Sequence, residues 1–394
     1  MGSSTKKNLW PLILLLTVQL LGGIMLMPSW NFFGIYLNET IEYSVRQVAQ
    51  VMAGGRVVGM IASLVGGGLS DRLGHKWLLA LGMGGIALSS LLYVFRVPWL
   101  VAVLWSVGCA GRGFSTLSSQ GYLTLAASAG ALGVFSALYN WGYTIGGAIG
   151  NPLAAVILGD DNFYALGLAL AGLGIVTILV AVFLPHLQVR AHQGKSAPTS
   201  RGYGELLQRP RIVVLGVLRL LPTCYYGVTT LLPLLIKQRG GSNASVAWYA
   251  AISSVFASLT QLLAGRVADR KGVRLPTQIA FGVILTAIVG TIFTARSVWG
   301  LYIFGTLGVG AAWALSTLLP GMVTFAAEPE IRGRVFGLLY LLWSGAMILG
   351  TLLGGELLEI DVRLPFLIVG VLNVIALALT GLFFRMKEPQ PSAI

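Results

Sequence analysis

Three arginines stand in unusual positions. Arg56, Arg112 and Arg219 fall inside long apolar runs, whereas all thirteen carboxylates, from Glu39 to Glu388, fall in polar connections or at the ends of runs. A charge inside a bilayer costs about 3 kcal/mol or more and normally faces a partner, a water-filled cavity or a substrate. An arginine fork binds carboxylate or phosphate through two parallel, charge-assisted hydrogen bonds. With no protein carboxylate at matching depth, the imbalance points to an anionic small-molecule substrate. Helical spacing groups other polar residues with these arginines: Arg219 shares a face with Thr223, Tyr226 and Thr230, and Arg112 with Thr116 and Ser119. Asn140, Tyr143, Thr144, Gly147 and Asn151 form a third stripe, which reads equally well as packing through small residues. Trp313 with Ser316 and Thr317, and Tyr340 with Trp343, offer aromatic walls.

The elements that must position these residues are membrane spans. The 394-residue chain is 56% hydrophobic and 10% charged, with a mean hydropathy of +0.82, which excludes a water-soluble fold. Twelve apolar runs of about the length a helix needs to cross the hydrocarbon core are predicted at 9–28, 47–69, 77–95, 98–119, 133–157, 163–184, 212–235, 245–267, 275–294, 299–322, 335–357 and 364–384. Continuous apolarity, without alternation, argues against a β-barrel. The first run follows Lys6 and Lys7 but has no small-residue cleavage site after it, so it reads as a retained helix.

The formal charge of +13 is topological and does not imply nucleic acid. With both termini in the cytoplasm, seventeen of the 26 Lys and Arg lie inside, six outside and three within the membrane, as the positive-inside rule requires. His75, His186 and His192 then all lie on the cytoplasmic side, and no Asp or Glu lies at mid-membrane, so proton coupling through a protein carboxylate is not expected. Uniport, exchange and co-transport of a substrate-borne proton remain open. No metal cluster, nucleotide-binding glycine loop or Ser-His-Asp spacing occurs, so neither an enzyme nor a cofactor is expected.

The runs repeat. Gly67-Gly-Leu-Ser-Asp71-Arg72-Leu-Gly74-His-Lys76 returns 198 residues later as Gly265-Arg-Val-Ala-Asp269-Arg270-Lys-Gly272-Val-Arg274. Phe135-Ser-Ala-Leu-Tyr139 returns as Phe336-Gly-Leu-Leu-Tyr340, and Gln19-Leu-Leu as Arg219-Leu-Leu 200 residues on. Three pairs at nearly one offset predict an all-α membrane protein of two pseudo-symmetric six-helix bundles, residues 1–185 and 212–394, joined by a polar cytoplasmic linker at 186–211.

The motif at Gly67 to Lys76 resembles the signature loop between helices 2 and 3 of the major facilitator superfamily, and Gly265 to Arg274 resembles its copy between helices 8 and 9. Gly142, Gly146, Gly147 and Gly150-Asn-Pro152 resemble the family's glycine-rich helix 5. Asn151 departs there from the drug-antiporter form, which carries Gly-Pro directly. Trp30-Asn-Phe-Phe-Gly34 through Gln47 resembles the helix 1 to 2 region of monocarboxylate and other organic-anion carriers. The resemblance implies a twelve-helix secondary transporter of the inner or plasma membrane, working as a monomer by alternating access. It also implies a central cavity lined by helices 1, 4, 7 and 10, where Arg112 and Arg219 would converge. Arg56, about fifteen residues before Asp71, is expected nearer the outer half. Gln19, Tyr226 and Asn140 are expected to orient a small organic or phosphorylated anion, with Tyr143, Trp313 and Tyr340 as further walls. Asp71, Arg72, Asp269 and Arg270 are expected to act as cytoplasmic latches, because an acidic residue there can cap a neighbouring helix and pair with an arginine. Efflux of drugs or other amphipathic compounds, and a non-transporting sensor or lipid-handling protein on the same scaffold, are the alternatives.

Overall fold

The structure, a computed structural model, describes residues 9–127, 132–187, 203–328 and 331–386, without the side chains of residues 71, 132–134 and 203. Most of the expected linker therefore lies outside the described residues. Helices account for each expected run: α1 (Trp10–Glu39), α2 (Val45–Leu73), α3 (His75–Ser90), α4 (Pro98–Ala126), α5 (Leu132–Leu158) and α6 (Phe163–Val182) come first. A short helix, α7 (Tyr203–Leu207), precedes α8 (Pro210–Thr229), α9 (Leu232–Gln238), α10 (Asn243–Lys271), α11 (Arg274–Thr294), α12 (Val298–Ala326), α13 (Arg332–Leu358) and α14 (Leu364–Phe383). Among the described residues, eleven helical segments, α8 and α9 together forming one, have the length and composition to cross a membrane. The other long helix, α5, is diluted by its glycines, asparagines and Pro152.

Local chemistry sets several ends. Asn162 and Ser242 cap α6 and α10 by accepting from the backbone N–H of Ala165 and Ser245 at 3.0 and 3.1 Å. Ser44 and Gln47 form a reciprocal capping box at the start of α2. Two expectations needed correction. The first run does not stop at 28: α1 continues through Pro28 to Glu39, because Phe32, Phe33, Ile35 and Tyr36 are all buried and packing overrides the proline. The run at 212–235 is not one helix. Pro233 has no N–H to give Thr229, so the chain tightens at Thr230 and Leu231 into three-residue bonds before α9 resumes.

Contacts divide the chain into two compact units. One comprises Met1–Tyr36 with Gly54–Ala191, and the other Leu37–Ala53 with His192–Ile394. Within the first unit α3 packs on α4 and α6, while in the second α11 packs on α12 and α14. The first and fifth helices of each unit also meet, through glycines. In the α1–α5 seam a Cβ on Gly23 would lie 2.3 Å from the Tyr143 carbonyl oxygen, and one on Gly146 2.3 Å from that of Leu20. In the α8–α13 seam a Cβ on Gly350 would lie 2.2 Å from the Cys224 carbonyl oxygen. Only glycine permits backbones this close. Second and fourth helices pair as well, with Gly113 against the Gly59 carbonyl on α2 and Thr260 Oγ1 donating to the Gly310 carbonyl at 2.8 Å on α12. The sequence repeat is thus a repeat of packing. Large apolar side chains such as Val156, Phe183, Phe293 and Trp299 are exposed on the helices, as a lipid-facing surface requires.

Candidate functional site

In the first unit, α1, α2 and α4 bring two of the marked residues to one indole, and α5 adds a ring to one of them. The Arg112 guanidinium lies 4.4 Å from the Tyr143 ring centre and 5.9 Å from that of Trp30, and Arg56 lies 5.9 Å from the same Trp30 ring. Arg56, expected nearer the outer half, and Arg112 thus both address one aromatic residue. Cation–π contacts of this kind hold an arginine without neutralising it. Beside them Gln19, Arg112, Thr116, Tyr139 and Tyr143 line a cavity of about 10 Å³, room for roughly one water. Ser119 and Tyr139 close its wall with a 2.5 Å hydroxyl contact.

The third stripe divides. Tyr143 faces Arg112, whereas Asn151 is fully buried, donates to the Gly147 carbonyl and accepts from Asn31 of α1 at 2.9 Å, so it locks α5 to α1. Asn140 is exposed and does not line the cavity.

In the second unit Arg219 of α8 donates from Nη1 to Ser316 Oγ of α12 at 3.0 Å, and its Nε is buried without a hydrogen-bond partner. Tyr226 meets Trp313 edge to face, with ring centres 6.4 Å apart. Thr223 and Thr230 share the face of Arg219 but spend their hydroxyls on α8's own carbonyls, Arg219 O and Gly227 O. Tyr340 meets Trp343 on α13 at a tilt, 5.8 Å between centres, and is exposed. Among the described residues neither Arg112 nor Arg219 has a carboxylate within ion-pairing distance. Trp30, which gathers Arg56 and Arg112, escaped the sequence reading as a site residue. Its signal was a tryptophan directly before Asn31, Phe32 and Phe33, too common a pattern to single out.

Of the expected latches, Arg72, Asp269 and Arg270 are exposed at the ends of α2 and α10, and the Asp71 side chain lies outside the described residues. Ion pairs are found elsewhere. In the second unit Arg46 at the start of α2 bridges Glu356 at 2.8 Å and Glu359 at 3.5 Å on α13, and Lys237 lies 3.6 Å from Glu39. Hydrogen bonds from Ser44 and from the Arg46 N–H, helped by the Arg46 charge, hold the Glu359 carboxyl below its usual range.

Among the described residues, twelve long helices, repeated packing in two units and polar groups set inside apolar spans define an integral membrane protein. The chain belongs to the Major Facilitator Superfamily, whose sequence profile matches residues 12–327 and, again, 237–394. It is similar to the class H tetracycline resistance protein of Pasteurella multocida, 27% identical over 42% of each chain, and so spans less than half the length of that relative. It is 24% identical to multidrug resistance protein 2 of Bacillus subtilis over 93% of this chain and 91% of the relative. It is also 25% identical to a gallate transporter of Pseudomonas putida, covering 80% and 78%. The crystal structure of the nucleoside transporter NupG superposes with a TM-score of 0.78 at 16% identity, covering 96% of this chain and all of that one, which shows the common fold.

Proposed function

We propose that the protein carries a small organic or phosphorylated anion by alternating access of the bundles 1–185 and 212–394, as a monomer with both termini cytoplasmic. One observation carries this reading: Arg112 and Arg219 are each set among rings and hydroxyls inside a span, with no carboxylate to neutralise them among the described residues. Gln19, Tyr226 and Asn140 orient the cargo, Arg56, Tyr143, Trp313 and Tyr340 wall it, and Asp71, Arg72, Asp269 and Arg270 latch the cytoplasmic side. The similarity to a gallate transporter supports an organic anion. Spans with no carboxylate at mid-membrane favour uniport, exchange or co-transport in which the cargo bears the proton.

The test is uptake into proteoliposomes of gallate, benzoate and a phosphate ester. Removing a charge-assisted hydrogen bond costs about 1.5–3 kcal/mol, so Arg219→Ala or Arg112→Ala should weaken apparent affinity about 10- to 150-fold. Undiminished uptake of every anion by both variants refutes the anion reading. Efflux of a drug-like compound is the second reading, favoured by the similarity to a multidrug resistance protein over nearly the whole chain. It predicts tolerance of arginine loss and sensitivity at Tyr143, Tyr226 or Trp313.

A further inference from the structure

Arg219 has a neighbour in chemistry that the spacing of residues on α8 does not reveal. Gln261 lies in the middle of α10, is 9% exposed, and sits within a helix that packs on α12. Its Oε1 lies 3.3 Å from the hydroxyl of Thr317, which is equally close to the Trp313 carbonyl of its own helix. Its Nε2 is buried and has no hydrogen-bond partner among the described residues. Ser316, the residue beside Thr317, accepts from Arg219 Nη1, and Arg219 Nε is likewise buried without a partner. Neighbouring hydroxyls on α12 therefore hold a guanidinium from α8 and a carboxamide from α10, and each leaves a buried nitrogen without a partner among the described residues.

An Arg Nε–H and an amide N–H can only donate. Buried donors at membrane depth are costly unless satisfied, and water is scarce there. A contact that served only to tie α10 to α12 through the Gln261 Oε1 would leave its buried Nε2 donor unsatisfied. We propose that Arg219 and Gln261, oriented by Ser316 and Thr317, form a subsite for the oxygens of an oxyanion, the carboxylate of the cargo. This rests on the anion reading above and adds to it α10 of the second unit and a neutral donor. Arg219 supplies charge and Gln261 supplies direction, so the pair distinguishes a carboxylate from an amide of the same shape. An amide replaces one acceptor oxygen with an NH2 that would meet the Gln261 donor head on.

The test is binding of benzoate and of benzamide to purified wild type, Gln261→Met and Arg219→Lys, by calorimetry or by thermal shift. Gln261→Met keeps side-chain length and removes the donor. It should weaken benzoate about tenfold or more, as loss of a hydrogen bond to a charged group does, while leaving the weak benzamide affinity within about twofold. Equal loss for both ligands assigns Gln261 to packing alone and overturns the proposal. If Arg219→Lys weakens benzoate and Gln261→Met does not, the subsite fails while the anion reading stands. If neither variant differs from wild type, the anion reading fails at this residue too. Should Gln261→Met not fold, Thr317→Val decides: it frees the carboxamide to rotate and should reduce the preference for benzoate over benzamide, and an unchanged preference overturns the proposal.

Discussion

Replacing Gly146 by Ala tests whether backbone proximity between α1 and α5 positions the arginine cluster. A Cβ there would lie 2.3 Å from the Leu20 carbonyl oxygen and 2.9 Å from Gly23 Cα and Ile24 N, all of them backbone atoms that no rotamer change can move. Contacts so short force the helices apart. Overpacking costs about 1–3 kcal/mol, and with only backbone to yield the upper end applies. Alanine returns about 1 kcal/mol through its helix propensity, leaving a net loss near 2 kcal/mol. For a chain of this size that lowers the midpoint of thermal unfolding by roughly 4 °C or less. Gly172→Ala on α6 is the control, since a Cβ there meets nothing within 4 Å and only the propensity gain remains. Thermal unfolding of both variants in the same detergent should place Gly146→Ala below wild type and Gly172→Ala at or above it. A Gly146→Ala protein as stable as Gly172→Ala would refute the close seam. Because Gly146 follows Tyr143 by one turn, Gly146→Ala should also weaken anion binding through Arg112.

Two further outcomes follow from side-chain contacts. Tyr143→Phe keeps the ring 4.4 Å from the Arg112 guanidinium and should bind anions within about twofold of wild type, whereas Tyr143→Leu removes a contact of about 1–2 kcal/mol and should weaken binding roughly 5- to 30-fold; equal affinities would detach the ring from the site. Arg46→Ala breaks the exposed pairs to Glu356 and Glu359 and should lower the unfolding midpoint by about 2 °C or less at pH 7. A carboxyl depressed in the folded state stabilises above its unfolded value of 4.5 and loses that effect as pH falls below it, so the deficit of Arg46→Ala should shrink on acidification from 7 to below 4.5. A deficit independent of pH would assign Arg46 to packing.

The spans were legible in the sequence because apolar runs of membrane length leave little freedom, and the repeat was legible because motifs such as Asp71-Arg72 and Asp269-Arg270 recur at one offset. What periodicity could not show was which polar groups are already spent. Thr223, Thr230 and Asn151 lie on the expected stripes, yet their side chains serve their own helix backbones, and Asn151 also serves Asn31. Spacing along one helix places a hydroxyl on a face but cannot tell a free hydroxyl from one folded back onto the preceding turn. The break at Thr230 was within reach, since Pro233 announces it. Trp30 and Gln261 were not, because their significance lies in what other helices bring to them.

The repeat also explains where the two units part company. Gln19 and Arg219 are 200 residues apart, and so are Thr116 and Ser316. In each unit the first helix thus presents a long polar side chain and the fourth a hydroxyl. Gln19 and Thr116 line one cavity in the first unit, and Arg219 bonds Ser316 in the second. The scaffold kept the geometry while the charge moved: the first unit draws its cations from α4 and α2, as Arg112 and Arg56, and the second draws its own from α8. The repeat places a neutral Gln at one copy and an Arg at the other, so the shared packing does not by itself call for a charge at 219. On the proposed anion reading, the charge at position 219 answers to the cargo. Arg219→Gln, which makes the second unit match the first, should accordingly fold as well as wild type and lose anion affinity about as far as Arg219→Ala; a stability loss of the same order as Gly146→Ala would return Arg219 to the fold.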